Sequence, residues 1–470
     1  MSRAVIDPER IAAFLDGRLS AEQHAETLQL LANSPELLGL VASVARRGSN
    51  PFQPRSPTKR GTFAGRRREI EKLLNLLRQA RSGNGSSVLV TGAPGTGKSS
   101  LLIHFKAIAE DRQFRGFPFV VVHTDIDNLT TQEGLLAKIE AGLQRSLTRV
   151  ERVRTTFQQL VDSALRIEAA GIRYHRTDTP SDQAQMERFA DRLAHLVKAI
   201  TRKRRWGLRA RRDGVLLIID EADKASPELR LGSFLKLLME RLKWRDCEHF
   251  MVVVGGGSEL QDTIRQGHGS AMRLFEVIQL QRMDTLGGME IVVEGLKRAS
   301  QEGENISIQP VALDRLLRMA DGLPHFTQQL AYSAFDVNGD DIIDEEDVVE
   351  GAYGSEGAVA SLGEHYGWSE LGNRADGCWA VLTALADANA TELPVHDLIQ
   401  ITGTPMSAVI DAVQRLATKG LVFFDVETML VRLASPSLRT WVRLEDTRPT
   451  EYLSPAEARA RPVPPANAST

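Results

Sequence analysis

Only two cysteines, Cys247 and Cys378, occur among the 470 residues, so the chain has no disulfide framework and no cysteine-based zinc site. Aromatic residues are sparse, at 6%, and no apolar run approaches the length of a membrane span. The opening stretch MSRAVIDPER lacks the apolar centre of a signal peptide, which leads us to expect a cytoplasmic protein with no membrane partner. A charge excess is lacking too: 58 Lys and Arg stand against 61 Asp and Glu, for a net charge of -3. That balance excludes a chain that coats nucleic acid through bulk electrostatics, and any such contact must come from a local patch. What is present, 42% hydrophobic and 25% charged residues, is the composition of a globular protein. At about 150 residues per domain, about three domains are expected.

The stretch that organises the chain is SVLVTGAPGTGKSSLL, Ser87 to Leu102: an apolar strand, a glycine-rich turn and the start of a helix. It fits G-x-x-x-x-G-K-[ST] with Gly92, Gly97, Lys98 and Ser99. In such a loop the glycines let backbone N–H groups turn inward around a β-phosphate, and the following helix adds the positive end of its dipole. Gly92, Ala93, Pro94, Gly95, Thr96, Gly97, Lys98, Ser99 and Ser100 are therefore the candidate ATP-binding residues. Lys98 is expected to reach the β- and γ-phosphates, and Ser99 to hold Mg²⁺.

A second anchor is GVLLIIDEAD, Gly214 to Asp223, a continuous apolar run that ends in two acids. Such a run is what a central parallel strand shows, and its C-terminal end is where an open α/β sheet presents ligands. Asp220 is expected to hold Mg²⁺ through water and Glu221 to polarise the attacking water. A further strand, Phe250 to Val254, opens into GGGSEL, where Ser258 stands in place to sense a γ-phosphate. Arg273, ahead of the strand-like FEVIQL, suits an arginine that reaches a neighbouring subunit's nucleotide, with Arg282 as its rival.

Around these anchors the chain divides into six parts. Residues 1–45 read as short helices, with Asp7-Pro8 opening the first and Ser20 capping the second. IAAFLDGRLSAEQHAETLQLLANSPEL resembles the zinc-binding helical segment of bacterial anti-sigma factors, but Leu30, Ser34 and Leu37 stand at the ligand positions. Zinc is excluded by that chemistry, which leaves a module for a protein partner or a plain helical appendage. Residues 46–62, rich in Pro, Arg, Ser and Gly, read as a flexible linker. Residues 63–285 form the α/β core, interrupted by a largely helical insertion at 131–212 with helices expected over Val150–Ala170 and Asp182–Thr201. The insertion ends in a basic run of Arg202, Lys203, Arg204, Arg205, Arg209, Arg211 and Arg212 around Trp206, either a phosphate-backbone contact or a solvated loop.

Residues 286–355 read as a helical lid. Within it, Asp336, Asn338, Asp340, Asp344 and Asp347 partly mimic a calcium loop, but Asp341 replaces the turn glycine and Asp347 the final Glu, so calcium is set aside. Residues 356–445 follow the order helix, helix, helix, hairpin of a winged helix-turn-helix. Its third helix would enter a major groove if the module reads DNA, yet Asp411, Asp425 and Glu427 weaken its basicity, and packing or protein contact fits as well. The tail, 446–470, is rich in Pro and Ala and is expected to be disordered.

Taken together, FAGRRREIEKL, GAPGTGKSS, VLLIIDEAD, VVVGGGSEL, MRLFEVIQL, DGLPHF and the winged helix resemble the AAA+ ATPases of the origin-recognition type and the related STAND ATPases, over residues 60–445. The resemblance implies a parallel-sheet P-loop NTPase core, a helical lid and a C-terminal winged helix, with nucleotide between core and lid. It also implies that Phe63-Ala64-Gly65-Arg66 lies beside the adenine. Two departures matter: Gly322-Leu323-Pro324-His325 offers no lid arginine and is closer to the STAND G-x-P signature, and Ser258 stands where initiators often have Asn. Both favour a slowly hydrolysing, nucleotide-controlled assembly switch that self-associates through its ATPase domain. The alternatives are a DNA-binding ATPase of replication-initiator or transposition-regulator type, and a non-catalytic nucleotide-binding scaffold, against which Asp220 and Glu221 argue.

Overall fold

The computed structural model describes residues 50–56, 63–110, 118–148, 182–201, 212–301, 306–372 and 377–453, together with Ser20, Gln23, Glu26 and Thr27. The helix expected at 150–170, the basic run at 202–211, most of 1–45 and the tail beyond 453 lie outside the described residues. Ser20 shows the pairing expected of a helix cap: its hydroxyl accepts from the Gln23 N–H at 3.3 Å, and the Gln23 side chain accepts from the Ser20 N–H at 3.1 Å.

The core runs α1 (Arg67–Arg81), β1 (Ser86–Gly92), α2 (Lys98–Glu110), β2 (Val120–Asp125), α3 (Gln132–Thr148), α4 (Asp182–Thr201) and β3 (Val215–Asp220). It continues with α5 (Leu231–Trp244), β4 (Phe250–Gly256), α6 (Leu260–Gly267) and β5 (Glu276–Leu280). The strands form one parallel sheet in the order β2-β3-β4-β1-β5. β3 and β4 are buried at every residue, as inner strands covered on both faces must be, while the edge strand β5 exposes Glu276, Val277 and Gln279. Alternate side chains feed two cores. Val88, Val90, Ile218 and Val253 pack with α1 and α2 on one face, and Leu89, Leu217, Val252 and Val254 pack with α3, α4 and α5 on the other. α4 is integral to the second core through Phe189, Leu193 and Val197, and its Glu187 pairs with Arg241 and Arg245 of and just beyond α5.

This order sends the C-terminal ends of β1, β3 and β4, at Gly92, Asp220 and Gly256, to one edge of the sheet. That edge is where an open α/β sheet holds its ligand.

After β5 come α7 (Thr285–Gln301), β6 (Ser307–Ile308), α8 (Pro310–Ala320), α9 (Pro324–Val337), β7 (Ile342–Ile343), α10 (Glu345–Tyr353) and α11 (Ala358–His365), the lid region. Next are α12 (Gly377–Asp387), β8 (Glu392–Pro394), α13 (Val395–Thr402), α14 (Met406–Thr418), β9 (Val422–Asp425) and β10 (Leu430–Leu433). The last three strands make an antiparallel sheet in the order β8-β10-β9, which with α12 to α14 is a winged helix. α15 (Pro436–Asp446) then runs back against the lid. One apolar core extends from Val292 of α7 to Leu444 of α15 without a break between lid and winged helix. At its middle Trp441 is 3% exposed, its indole N–H donates to Val359 O at 2.9 Å, and its ring lies 5.7 Å from Trp368 and 6.1 Å from Trp379.

Two expectations are corrected. The linker is not flexible throughout, because Phe52 is 2% exposed and sits in the lid core against Phe335. A single aromatic in a polar stretch finds more apolar surface to cover on the lid than in water. Arg212 does not belong to a solvated basic patch; it is buried and donates to Phe119 O at 3.4 Å. The acidic stretch at 336–347, set aside as a calcium loop, runs from the end of α9 through β7 into α10: the Asn338 amide donates to Asp340, Ile342 O and Asp347, and Asp344 caps α10 in a capping box with Asp347. Among the described residues no group of three or more His, Cys, Asp or Glu is gathered as a metal site, and no helix is long and apolar enough to cross a membrane.

Candidate functional site: a nucleotide cleft clamped by the lid and α15

β1 delivers the chain to a turn that only glycine adopts easily, with φ of 79° at Gly95 and 89° at Gly97. Thr96 closes the turn from inside, its hydroxyl donating to Ala93 O at 2.7 Å. Lys98, the first residue of α2, folds its ammonium back to Gly92 O at 2.8 Å and Ala93 O at 3.0 Å. Burial lowers its pKa, and the carboxylates of Asp223, Asp220 and Glu259 oppose that shift. The loop is braced from behind by Arg66, an 8% exposed residue with φ of 57°. Its guanidinium donates to Thr96 O at 3.1 Å and to Gln281 O, and pairs with Glu69 at 3.1 Å, tying the loop to the end of β5. Beside it Phe63 stacks on His104 with ring centroids 4.5 Å apart, and burial lowers the His104 pKa, which suits a neutral stacked ring.

The two acids stand at the end of β3. Asp220 is 7% exposed, and its Oδ1 accepts from the Glu221 N–H at 2.9 Å. Glu221 takes a left-handed φ of 54°, faces the cleft and pairs with Lys224 at 3.0 Å. The Asp220 carboxylate lies over Gly255 of β4, where a Cβ would come within 2.9 Å of it. Ser258 and Arg273 are exposed, at the end of β4 and in the turn before β5, and neither lines the cleft. Arg282 is occupied within its own chain, paired with Asp321 and donating to Asp321 O at 2.9 Å and Pro436 O at 3.4 Å.

The tip of the loop is gripped from above. The His325 N–H donates to Gly95 O at 3.4 Å, Pro324 packs over Gly97, and Ser437 in the first turn of α15 donates its hydroxyl to Pro94 O at 2.6 Å. Tyr366 joins these groups, with its hydroxyl 2.9 Å from His325 Nδ1 and hydrogen-bonded to Ser437. A Cβ on Gly95 would meet the Tyr366 hydroxyl at 3.0 Å and Ser437 Oγ at 3.1 Å. Burial pushes the His325 pKa down to about 4, helped by the neighbouring His365 and opposed by the Pro54 carbonyl. Between loop, lid and residues 53–56 lies a cavity of about 430 Å³, the size of a small-ligand site.

The sequence motifs thus bring Lys98, the loop and Glu221 to one cleft, with Asp220 adjoining. Ser437, Tyr366 and residues 53–56, which also line or grip the cleft, carry no motif. Phe52, alone in its polar stretch, is the signal that points to the last of these.

A parallel sheet with a glycine loop and lysine after β1, and paired acids after β3, defines a P-loop NTPase. Residues 62–245 match the AAA ATPase domain family, so this part of the chain is similar to the AAA domain of nucleotide-binding ATPases. No curated protein matches the chain. Among solved structures it is similar to a Walker-type ATPase of Pyrococcus abyssi, at 18% identity over 84% of this chain and 99% of that one, with a TM-score of 0.47. It is similar also to the ADP form of the ORC2 protein of Aeropyrum pernix, at 14% identity over 82% and 93%, TM-score 0.46. The ORC1 protein of Aeropyrum pernix in complex with DNA is similar at 16% identity over 82% and 93%, TM-score 0.36.

Proposed function

We propose that the chain is an ATP-binding, slowly hydrolysing switch whose nucleotide sets the position of lid and winged helix and thereby governs assembly. The observation that carries this reading is the grip on the loop tip: Ser437 on Pro94 and His325 on Gly95 make the phosphate loop, the lid and α15, the helix that follows the winged helix, one hydrogen-bonded unit. A group bound on the loop therefore acts on a contact that reaches across the molecule.

The residues fit ATP and Mg²⁺. The left-handed glycines leave the loop free of side chains, Lys98 supplies a half-buried cation, and Ser99 and Asp220 are the hard oxygen donors that Mg²⁺ prefers. When bound, the ion neutralises phosphate charge. Lys98 orients the β- and γ-phosphates, Glu221 holds the proton of an attacking water, and its exposed pair with Lys224, worth under about 1 kcal/mol, breaks readily to allow this. Arg273, exposed ahead of β5, is our candidate for reaching a neighbouring copy's nucleotide, and residues 1–45 for docking a protein partner.

The test is steady-state ATPase activity of wild type and Glu221→Gln, with and without duplex DNA, alongside mass by light scattering. Slow turnover indifferent to DNA, with nucleotide-dependent assembly, is expected. DNA-stimulated turnover would select the DNA-acting reading instead. Exposed Asp411, Asp425 and Glu427 on α14 and the wing speak against that reading. Absence of turnover under every condition would leave a nucleotide-binding scaffold.

A further inference from the structure

The cleft has a wall that comes from ahead of the ATPase domain. Gln53, Pro54, Arg55 and Ser56 line the same cavity as the phosphate loop, although the family match begins only at residue 62. This strap is bolted to the lid. Phe52 fills a notch in α7 where Gly295 lacks a side chain: a Cβ there would lie 2.2 Å from the Phe52 ring. The Asn50 amide donates to Tyr332 O at 3.0 Å while its oxygen accepts from the Phe52 N–H at 3.1 Å. The Gln53 N–H donates to the Gln328 side chain at 3.3 Å, and Arg298 donates to Pro51 O at 3.5 Å. The Pro54 carbonyl faces the His325 ring.

The phosphate loop occupies one end of the cavity. Phe63, Ala64, Met283 and Ile291 give the rest an apolar lining, and the strap gives it a polar edge. Apolar walls with a few polar groups at one edge are what a flat, hydrogen-bonding heterocycle requires. We propose that Gln53–Ser56 is the nucleoside-binding roof of the cleft and that Phe52 is the positioning residue that holds it in place. Affinity for base and ribose, but not for the phosphates, is then set by a segment outside the ATPase domain. The proposal rests on the nucleotide reading above and adds a binding element to it.

Full-length wild type, Phe52→Ala, Phe52→Leu and Gly295→Ala are titrated calorimetrically with ATP and with inorganic tripolyphosphate, which engages the loop alone. Phe52→Ala should weaken ATP binding by about tenfold, because the roof must then be ordered at the expense of binding, and leave tripolyphosphate affinity within about twofold. Phe52→Leu should restore most of the ATP affinity, and Gly295→Ala, which evicts the ring, should behave like Phe52→Ala. Unchanged ATP affinity in Phe52→Ala overturns the proposal. So does an equal loss for both ligands, which would make Phe52 a general support of the fold. A wild-type chain that binds neither ligand overturns the nucleotide reading, and the roof with it.

Discussion

Ser437 is the residue through which α15 holds the phosphate loop, and replacing it with alanine tests whether that hold restrains the cleft. Its hydroxyl donates to Pro94 O at 2.6 Å from a side chain with 0% exposure. The other polar tie to the loop tip, the His325 N–H to Gly95 O, is long at 3.4 Å. Losing a buried hydrogen bond costs from about 0.5 to 3 kcal/mol, depending on whether the remaining partner regains water. Pro94 is exposed, so its carbonyl rehydrates, and about 1 kcal/mol is the appropriate value. That shifts the ratio of open to closed cleft by about fivefold, and any step gated by opening accelerates by the same factor. The assay is stopped-flow release of a fluorescent ATP analogue chased with excess ATP. Ser437→Ala should release it about five times faster than wild type. Thr440→Val is the control: the Thr440 hydroxyl donates to Asp321 at 2.8 Å, a contact between α15 and the lid that opening does not break. An unchanged release rate in Ser437→Ala, or an equal acceleration in Thr440→Val, refutes the reasoning.

Four further outcomes are expected. Lys98→Ala should abolish detectable nucleotide binding by calorimetry, since it removes the one cation buried in the loop. Glu221→Gln should bind ATP with unchanged affinity and lose turnover in a phosphate-release assay; lost binding would contradict the role given to Glu221. His325 has a folded pKa of about 4 against an ordinary 6.5, so the fold favours the neutral ring. The stability this provides is complete above pH 6.5 and is lost as pH falls toward 4, amounting to about 3 kcal/mol at most. His325→Gln should flatten the pH dependence of the thermal midpoint in that window, and parallel profiles would show that the ring does not titrate there. Trp441→Ala should cost about 3–5 kcal/mol in urea unfolding, as expected for a buried tryptophan in contact with two others.

The parts legible in the sequence are those where a backbone geometry or a continuous apolar strand demands particular residues. Gly97 with Lys98 marks the loop, and the run ending at Asp220 marks β3, because both requirements are local. The winged helix was legible from its order of helices and hairpin. The grip on the loop was not, since Ser437 makes its contact across 343 positions and a serine at a helix start ordinarily reads as a cap. The packed strap was only half legible: Phe52 stands out in its polar stretch, but its seat depends on a missing side chain at Gly295, and nothing in the sequence joins the two. The partial likeness of 336–347 to a calcium loop has a related cause: carboxylates that suit a cation also suit backbone N–H groups, and here Asp344 and Asp347 serve α10.

The unbroken core between α7 and α15 has a mechanical consequence. Trp441 lies against both Trp368 and Trp379, and the shared core leaves no slip plane between lid and winged helix. The two form a single body that follows the short stretch after β5, where Arg282 reaches both Asp321 and Pro436. Any rotation about that stretch would therefore carry α7 to α15, the wing between Asp425 and Leu430 included, as one piece.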